Sequence, residues 1–142
     1  FVVWSQNPSN SGKIHQPVRQ RWLSGDAEII QGMQNAADCA REGLQIIQMS
    51  SGKESCAIRL APILSANFAA RRKMFTDAGL GDENIRMIEL CQSVGAGAKF
   101  TGSGGAVVAC CPDGAEQEAR LKAVVTEAGF SVAEVEFAPR EL

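Results

Sequence analysis

The segment Gly95-Ala96-Gly97-Ala98-Lys99-Phe100-Thr101-Gly102-Ser103-Gly104-Gly105 constrains this chain most, because it runs straight into the apolar Ala106-Val107-Val108-Ala109-Cys110-Cys111. Glycine takes positive φ without steric penalty, so the pattern predicts strand, tight turn, strand. Residues 98–101 and 105–111 are expected to pair as an antiparallel hairpin. The same glycines leave backbone N–H groups open to an anion, and Thr101 and Ser103 add hydroxyl donors. It is not a Walker A loop, since no Gly-Lys-Ser/Thr follows at the required spacing. On composition alone, a structural hairpin is the simpler account of the glycines.

The flanking sequence supplies the rest of a fold. Residues 1–6 form a short β run, and residues 7–12 are dense in turn formers. Residues 13–23 are polar and basic, with Trp22 and Leu23 as anchors. Asp26 can N-cap a long helix in which Ile30, Met33, Ala37, Ala40, Leu44 and Ile47 recur at three- and four-residue steps. Ser51-Gly52 breaks it. A second long helix is expected over residues 54–78, with Ala57, Leu60, Leu64, Phe68 and Phe75 as its stripe and Pro62 as a kink. Gly79 and Gly81 end it, and Asp82 can cap a third helix carrying Ile85, Ile88 and Cys91. After the hairpin, Pro112-Asp113-Gly114 turns into a helix over residues 115–128, with Leu121, Val125 and Ala128 inward and Gly129 as its stop. Residues 130–137 read as a last strand with Val132, Val135 and Phe137 toward the core. The order β-α-α-α-β-β-α-β predicts an α+β, ferredoxin-like fold: one antiparallel four-stranded sheet covered by helices on one face, built by residues 1–142 as one domain.

Several function classes are disfavoured at this stage. The net charge is -2 and there is no tyrosine, which argues against nucleic acid as a partner. No apolar run approaches the roughly 20 residues of a membrane span, and no signal-peptide pattern opens the chain. The start at Phe1, without Met, reads as a piece of something longer. Five cysteines, an odd number with no CxxC, and a single histidine argue against a disulfide framework or a metal site. A reducing, cytoplasmic setting fits them.

Residues 97–106 resemble the third conserved motif of the GHMP kinases, usually written GAKLTGAGGGG. In that family the motif lies in the C-terminal domain and helps shape the phosphate-transfer cleft. Asn67-Phe68 is similar to the family's Asn-bearing helix. Ser11-Gly12-Lys13-Ile14-His15-Gln16-Pro17-Val18-Arg19-Gln20-Arg21-Trp22-Leu23 resembles the SGK-x-H-x-x-VRQRWL segment of plant-type glucuronokinases, as do Arg71-Arg72-Lys73-Met74-Phe75 and residues 99–108. The resemblance covers nearly the whole chain. It implies the C-terminal domain of a sugar 1-kinase, with ATP and Mg2+ as cofactors of the full enzyme and none expected for this chain alone. The family's Pro-x-x-x-Gly-Leu-Gly-Ser-Ser-like phosphate loop and catalytic Asp have no counterpart here. The resemblance therefore implies a missing N-terminal domain, on the same or a separate chain, and an isolated chain without useful activity. The rival reading is a GHMP-derived structural or interaction subunit of a larger assembly.

These residues yield the candidate sites. Thr101, Gly102, Ser103, Gly104 and Gly105 form the loop near the transferred phosphate. Lys13, His15, Arg19 and Arg21 are substrate-binding candidates, since Arg offers a planar fork to a uronate carboxylate or a developing sugar phosphate. A solvated basic turn explains the same charges equally well. His15 can hydrogen-bond a sugar hydroxyl or equally fix the loop, and Asn67 can donate to the glycine loop, although a structural bond is the simpler role. Of Arg71, Arg72 and Lys73, Arg71 lies nearest the apolar stripe. Lys99 is expected on the outer face of its strand. No catalytic residue and no metal ligand is assigned to this chain.

Overall fold

The computed structural model describes residues 1–6, 11–50 and 53–135, without the side chains of 11–15 and 53–55. In chain order these form β1 (Val2–Trp4), α1 (Ser11–Leu23), α2 (Ala27–Met49), α3 (Lys53–Leu80), α4 (Asp82–Ser93), β2 (Gly97–Phe100), β3 (Ala106–Cys110), α5 (Ala115–Glu127) and β4 (Ser131–Ala133). The four strands make one sheet in the order β2-β3-β1-β4, with every neighbouring pair antiparallel. This is the expected ferredoxin-like arrangement, and the glycine segment is the expected hairpin, with Phe100 opposite Val107.

One helix was not anticipated. The basic stretch at residues 13–23 is not a turn but most of α1, with Pro17 inside it. Its periodicity is faint because, among the described side chains of α1, only Val18 is deeply buried, while Trp22 and Leu23 are exposed. The expected turn at residues 7–12 gives way to α1 from Ser11, and the expected last strand stops at Ala133, leaving Val135 exposed. Residues 7–10, the break at 51–52 and Phe137 lie outside the described residues.

Strand pairing assigns faces to the sheet. Val3, Val107, Phe100, Ala98 and Ala109 share one face and are buried. α4 and α5 close over it with Ile85, Met87, Ile88, Cys91, Leu121 and Val125. α3 passes the edge strand β2 instead of staying on that face. Its Ala61 lies against Gly97, where a Cβ would fall on the Ala61 backbone, and the Cys110 thiol meets the Ala57 carbonyl. Three residues further along the strand, Phe68 meets Phe100 edge-on, with ring centres 5.5 Å apart. The helices are therefore not confined to one face, and the reason is the absence of a side chain at Gly97.

α2 begins as expected at Asp26, whose Oδ1 accepts from the N–H groups of Glu28 (3.0 Å) and Ile29 (3.4 Å). Its buried side, however, is Ile29, Gly32, Gly43 and Ile46. The stripe expected inward lies one position round, and Ile30, Met33, Leu44 and Ile47 are exposed. The two glycines let α2 approach α3 closely: Gly32 sits under Met74, and Gly43 faces Leu60 and Ile63. α3 is interrupted at Thr76 (φ 61°, ψ 161°). α4 is preceded by Gly81 at φ 85°, and no side chain caps it, so Asp82 is its first residue and not its cap.

Candidate functional site

The glycine loop, residues 101–105, joins β2 to β3 and is bolted to the rest of the domain on two sides. Thr101 N donates to Ala106 O at 3.1 Å, and the Thr101 hydroxyl reaches the same carbonyl at 3.3 Å. Ser5 N donates to Gly105 O at 3.0 Å, tying the loop to the end of β1. Asn84, in the first turn of α4, accepts from Gly105 N at 2.7 Å, while its Nδ2 donates to Leu80 O at 2.8 Å. Gly104 has φ 144°, and a Cβ there would press on the Asn84 amide at 2.8 Å. Only glycine allows that approach.

These bonds occupy the N–H groups of Thr101 and Gly105. Among the described residues, those of Gly102, Ser103 and Gly104 have no protein acceptor. Thr101 and Gly102 are exposed, and Ser103, Gly104 and Gly105 are half-buried. A fixed loop with consecutive free N–H donors can accept an anionic oxygen without reorganising. The Thr101 hydroxyl is already committed to closing the hairpin, which leaves Ser103 as the loop's free hydroxyl.

The structure separates the remaining candidates. Asn67 does not reach the loop; its Nδ2 points at Ala36 O, 3.5 Å away, linking α3 to α2. That is the structural role, and the contact with the glycine loop falls to Asn84, as acceptor and not donor. Its only sequence signal was a polar residue one turn after Gly81. Arg21 is held by Asp26 (Nε to Oδ2, 2.7 Å) and Glu28 (Nη2 to Oε2, 3.3 Å). The hydrogen bond from Arg21 holds the Asp26 carboxyl below its ordinary range, and the same bond raises the guanidinium. Arg21 thereby braces the start of α2. Arg19 is exposed and borders a groove of about 370 Å³ with Val18, Trp22 and Met33. The side chains of Lys13 and His15 lie outside the described residues.

The three adjacent cations of α3 diverge. Arg72 is paired with Asp77 (2.6 Å) and Glu89 (3.3 Å), Lys73 is exposed, and Arg71 turns inward. Lys99 is half-buried and not on an open face; its ammonium donates to Phe100 O at 2.6 Å. A second concavity, about 470 Å³, lies at the far end of β2 between Ala61, Pro62 and Gly95–Gly97, away from the glycine loop.

Among the described residues no three His, Cys, Asp or Glu side chains converge on a metal position. The five cysteines are unpaired. Burial pushes the Cys91 thiol up to about 12, so it is a core residue and no nucleophile. No helix of the described residues is long and apolar enough to cross a membrane.

Residues 57–129 match the family model described as GHMP kinases C terminal. The chain is 43% identical over 138 residues to "Glucuronokinase 1" of Arabidopsis thaliana, covering 97% of this chain and 37% of that protein. It is 42% identical over 141 residues to "Probable glucuronokinase 2" of the same plant, covering 99% of this chain and again 37% of the relative. The chain thus spans a little over a third of the length of these curated relatives. No solved structure matches it.

Proposed function

Since the chain belongs to the GHMP kinase family as its C-terminal domain, we propose that it is the C-terminal part of a glucuronate 1-kinase acting in carbohydrate metabolism. The observation that carries this reading is the 43% identity to a glucuronokinase across nearly the whole chain. The free N–H groups of the glycine loop agree with it. The proposed domain runs over residues 1–142, beyond the family match, because β1 and β4 pair inside the same sheet.

In the proposed reaction the anomeric hydroxyl oxygen of D-glucuronate attacks the γ-phosphorus of ATP. The bond from that phosphorus to the β–γ bridging oxygen breaks, and ADP leaves. The hydroxyl proton passes to a base outside this chain. Such catalysis is mainly positioning and electrostatic stabilisation. Gly102, Ser103 and Gly104 would offer N–H donors to oxygens of the transferred phosphoryl group. Mg2+ belongs with the nucleotide, and the described carboxylates do not converge to hold it. Arg19 is proposed to hold the developing sugar phosphate, and Lys13 and His15 stay substrate-binding candidates, His15 for a sugar hydroxyl. Arg21 joins them only by releasing Asp26 and Glu28.

The remaining partners follow. An N-terminal GHMP domain supplies the nucleotide pocket, and a reducing cytoplasm suits the unpaired cysteines. The full-length protein is expected to convert ATP and D-glucuronate to ADP and glucuronate 1-phosphate, followed by coupled ADP detection and phosphorus NMR. The 142-residue chain alone should show no sugar-dependent ADP release. Preference for a neutral hexose would overturn the substrate. Absence of turnover with every sugar would leave a structural subunit of a larger assembly as the reading.

A further inference from the structure

Arg71 is the side chain of the basic cluster on α3 that turns inward, and no carboxylate among the described residues meets it. Its guanidinium carbon lies 5.2 Å from the centre of the Phe75 ring and 6.0 Å from that of Phe100. Its Nε and Nη2 are both shielded from water and have no acceptor among the described residues. Those two nitrogens form one edge of the guanidinium, the fork that grips both oxygens of a carboxylate in parallel. Lys99 meets the same Phe100 from its backbone side, its ammonium donating to the Phe100 carbonyl at 2.6 Å. Burial, and then the charge of Arg71, lower its affinity for a proton. Neither cation takes part in an ion pair among the described residues.

Two cations drawn together without a counter-ion oppose folding, because each is partly desolvated and they repel. An incoming anion reverses both effects. The location is also informative. Phe100, which both cations touch, is the residue immediately before the glycine loop, and Arg71 is one helical turn beyond Phe68. The pair therefore stands at the β2 side of the loop, where the free N–H groups of residues 102–104 suit a phosphoryl oxygen.

We propose that Arg71 and Lys99 bind the carboxylate of an acid sugar beside the glycine loop, with the Nε–Nη2 fork of Arg71 gripping both carboxylate oxygens. This assignment rests on the uronate-kinase reading above and names the contact that makes it selective for an acid sugar. The fork reaches the sugar by turning about its own flexible stem, since the residue as a whole is only half-buried.

The test uses the full-length protein with D-glucuronate and its neutral isostere D-glucuronamide. Arg71→Met and Lys99→Met should each lower kcat/KM for glucuronate, Arg71→Met by about 30-fold or more, while glucuronamide changes by about threefold or less. Arg71→Lys keeps the charge without the fork and should recover only part of the loss. Equal losses on both sugars would overturn the proposal, because a protein carboxylate or a purely structural contact at Arg71 predicts that pattern. A second readout needs no turnover. In the wild-type protein the Arg71 Nε–H signal, assigned by its absence from Arg71→Lys, should shift with glucuronate and not with glucuronamide. A protein that phosphorylates glucuronate without this shift would sink the proposal alone. A protein with the shift and no kinase activity would sink the kinase reading and keep the carboxylate pair. A shift saturating with inorganic phosphate below the glucuronate concentration would reassign the pair to phosphate and end the proposal.

Discussion

Two regions of this domain place their apolar residues in opposite ways. Under the sheet, α4 presents Met87, Ile88 and Cys91, and α5 presents Leu121 and Val125, all fully buried. In the outer layer, α2 is 23 residues long, yet glycines occupy much of its inner side while Ile30, Met33, Leu44 and Ile47 face outward. The first region owes its cohesion to large side chains interlocking beneath strands. The second owes it to close backbone approach, with Gly32 under Met74. Similar apolar sequence therefore has different energetic value in the two places, and substitutions can measure the difference.

The largest effect is expected at the junction of sheet and glycine loop. Phe100→Ala removes a fully buried ring from contact with Phe68 and should destabilise by about 3–5 kcal/mol in chemical denaturation. A loss below about 1 kcal/mol would show that the sheet core relaxes around the cavity. In the outer layer, Ile29→Ala should cost about 2–5 kcal/mol, because Ile29 is the side chain that anchors the start of α2. Asn84→Ala strands the Gly105 N–H and should cost about 1–3 kcal/mol. In the full-length protein it should also lower kcat more than Asn67→Ala does; the reverse ranking would put the loop's anchor on α3.

The buried thiol supplies a pH test of the sheet side. Cys91 holds its proton more tightly folded than unfolded, so its contribution is intact below the ordinary thiol range and is lost as pH rises toward about 12. Between pH 7 and 9.5 the share of Cys91 in the loss should be about 1 kcal/mol. Cys91→Ala should remove that share while those of Cys110 and Cys111, whose thiols burial also pushes up, remain. An unchanged pH dependence in the variant would assign the effect to another group. The smallest effect is expected on the outward face of α2, where Ile30→Ser should alter stability by less than about 0.5 kcal/mol. Matching effects at Ile29 and Ile30 would erase the contrast between the two faces of α2.

Much of this was legible beforehand, for identifiable reasons. The hairpin was readable because glycines between two apolar runs permit few other arrangements. The stripes of α4 and α5 were readable because each has apolar residues on one side only. The phase of α2 was not. It carries the neighbouring pairs Ile29-Ile30 and Ile46-Ile47, so two stripes one residue apart satisfy the same period. Hydrophobicity favours the stripe with Met33 and Leu44, whereas packing selects the one with Gly32 and Gly43. The α1 helix was hidden by Pro17 and by described side chains that bury little besides Val18.

The candidate site divides in the same way. Sequence by itself determined which loop carries free N–H donors, because a glycine run of this kind states its own backbone geometry, and it marked Arg71 as the cation nearest an apolar stripe. Tertiary structure alone decided that Asn84 anchors the loop, that Arg21 is taken up by Asp26 and Glu28, and that Arg71 and Lys99 both meet Phe100. Backbone conformation depends on near neighbours along the chain. The partner a charge or an amide finds depends on which helix passes beside it, and here that was set by how closely α3 could cross the strand at Gly97.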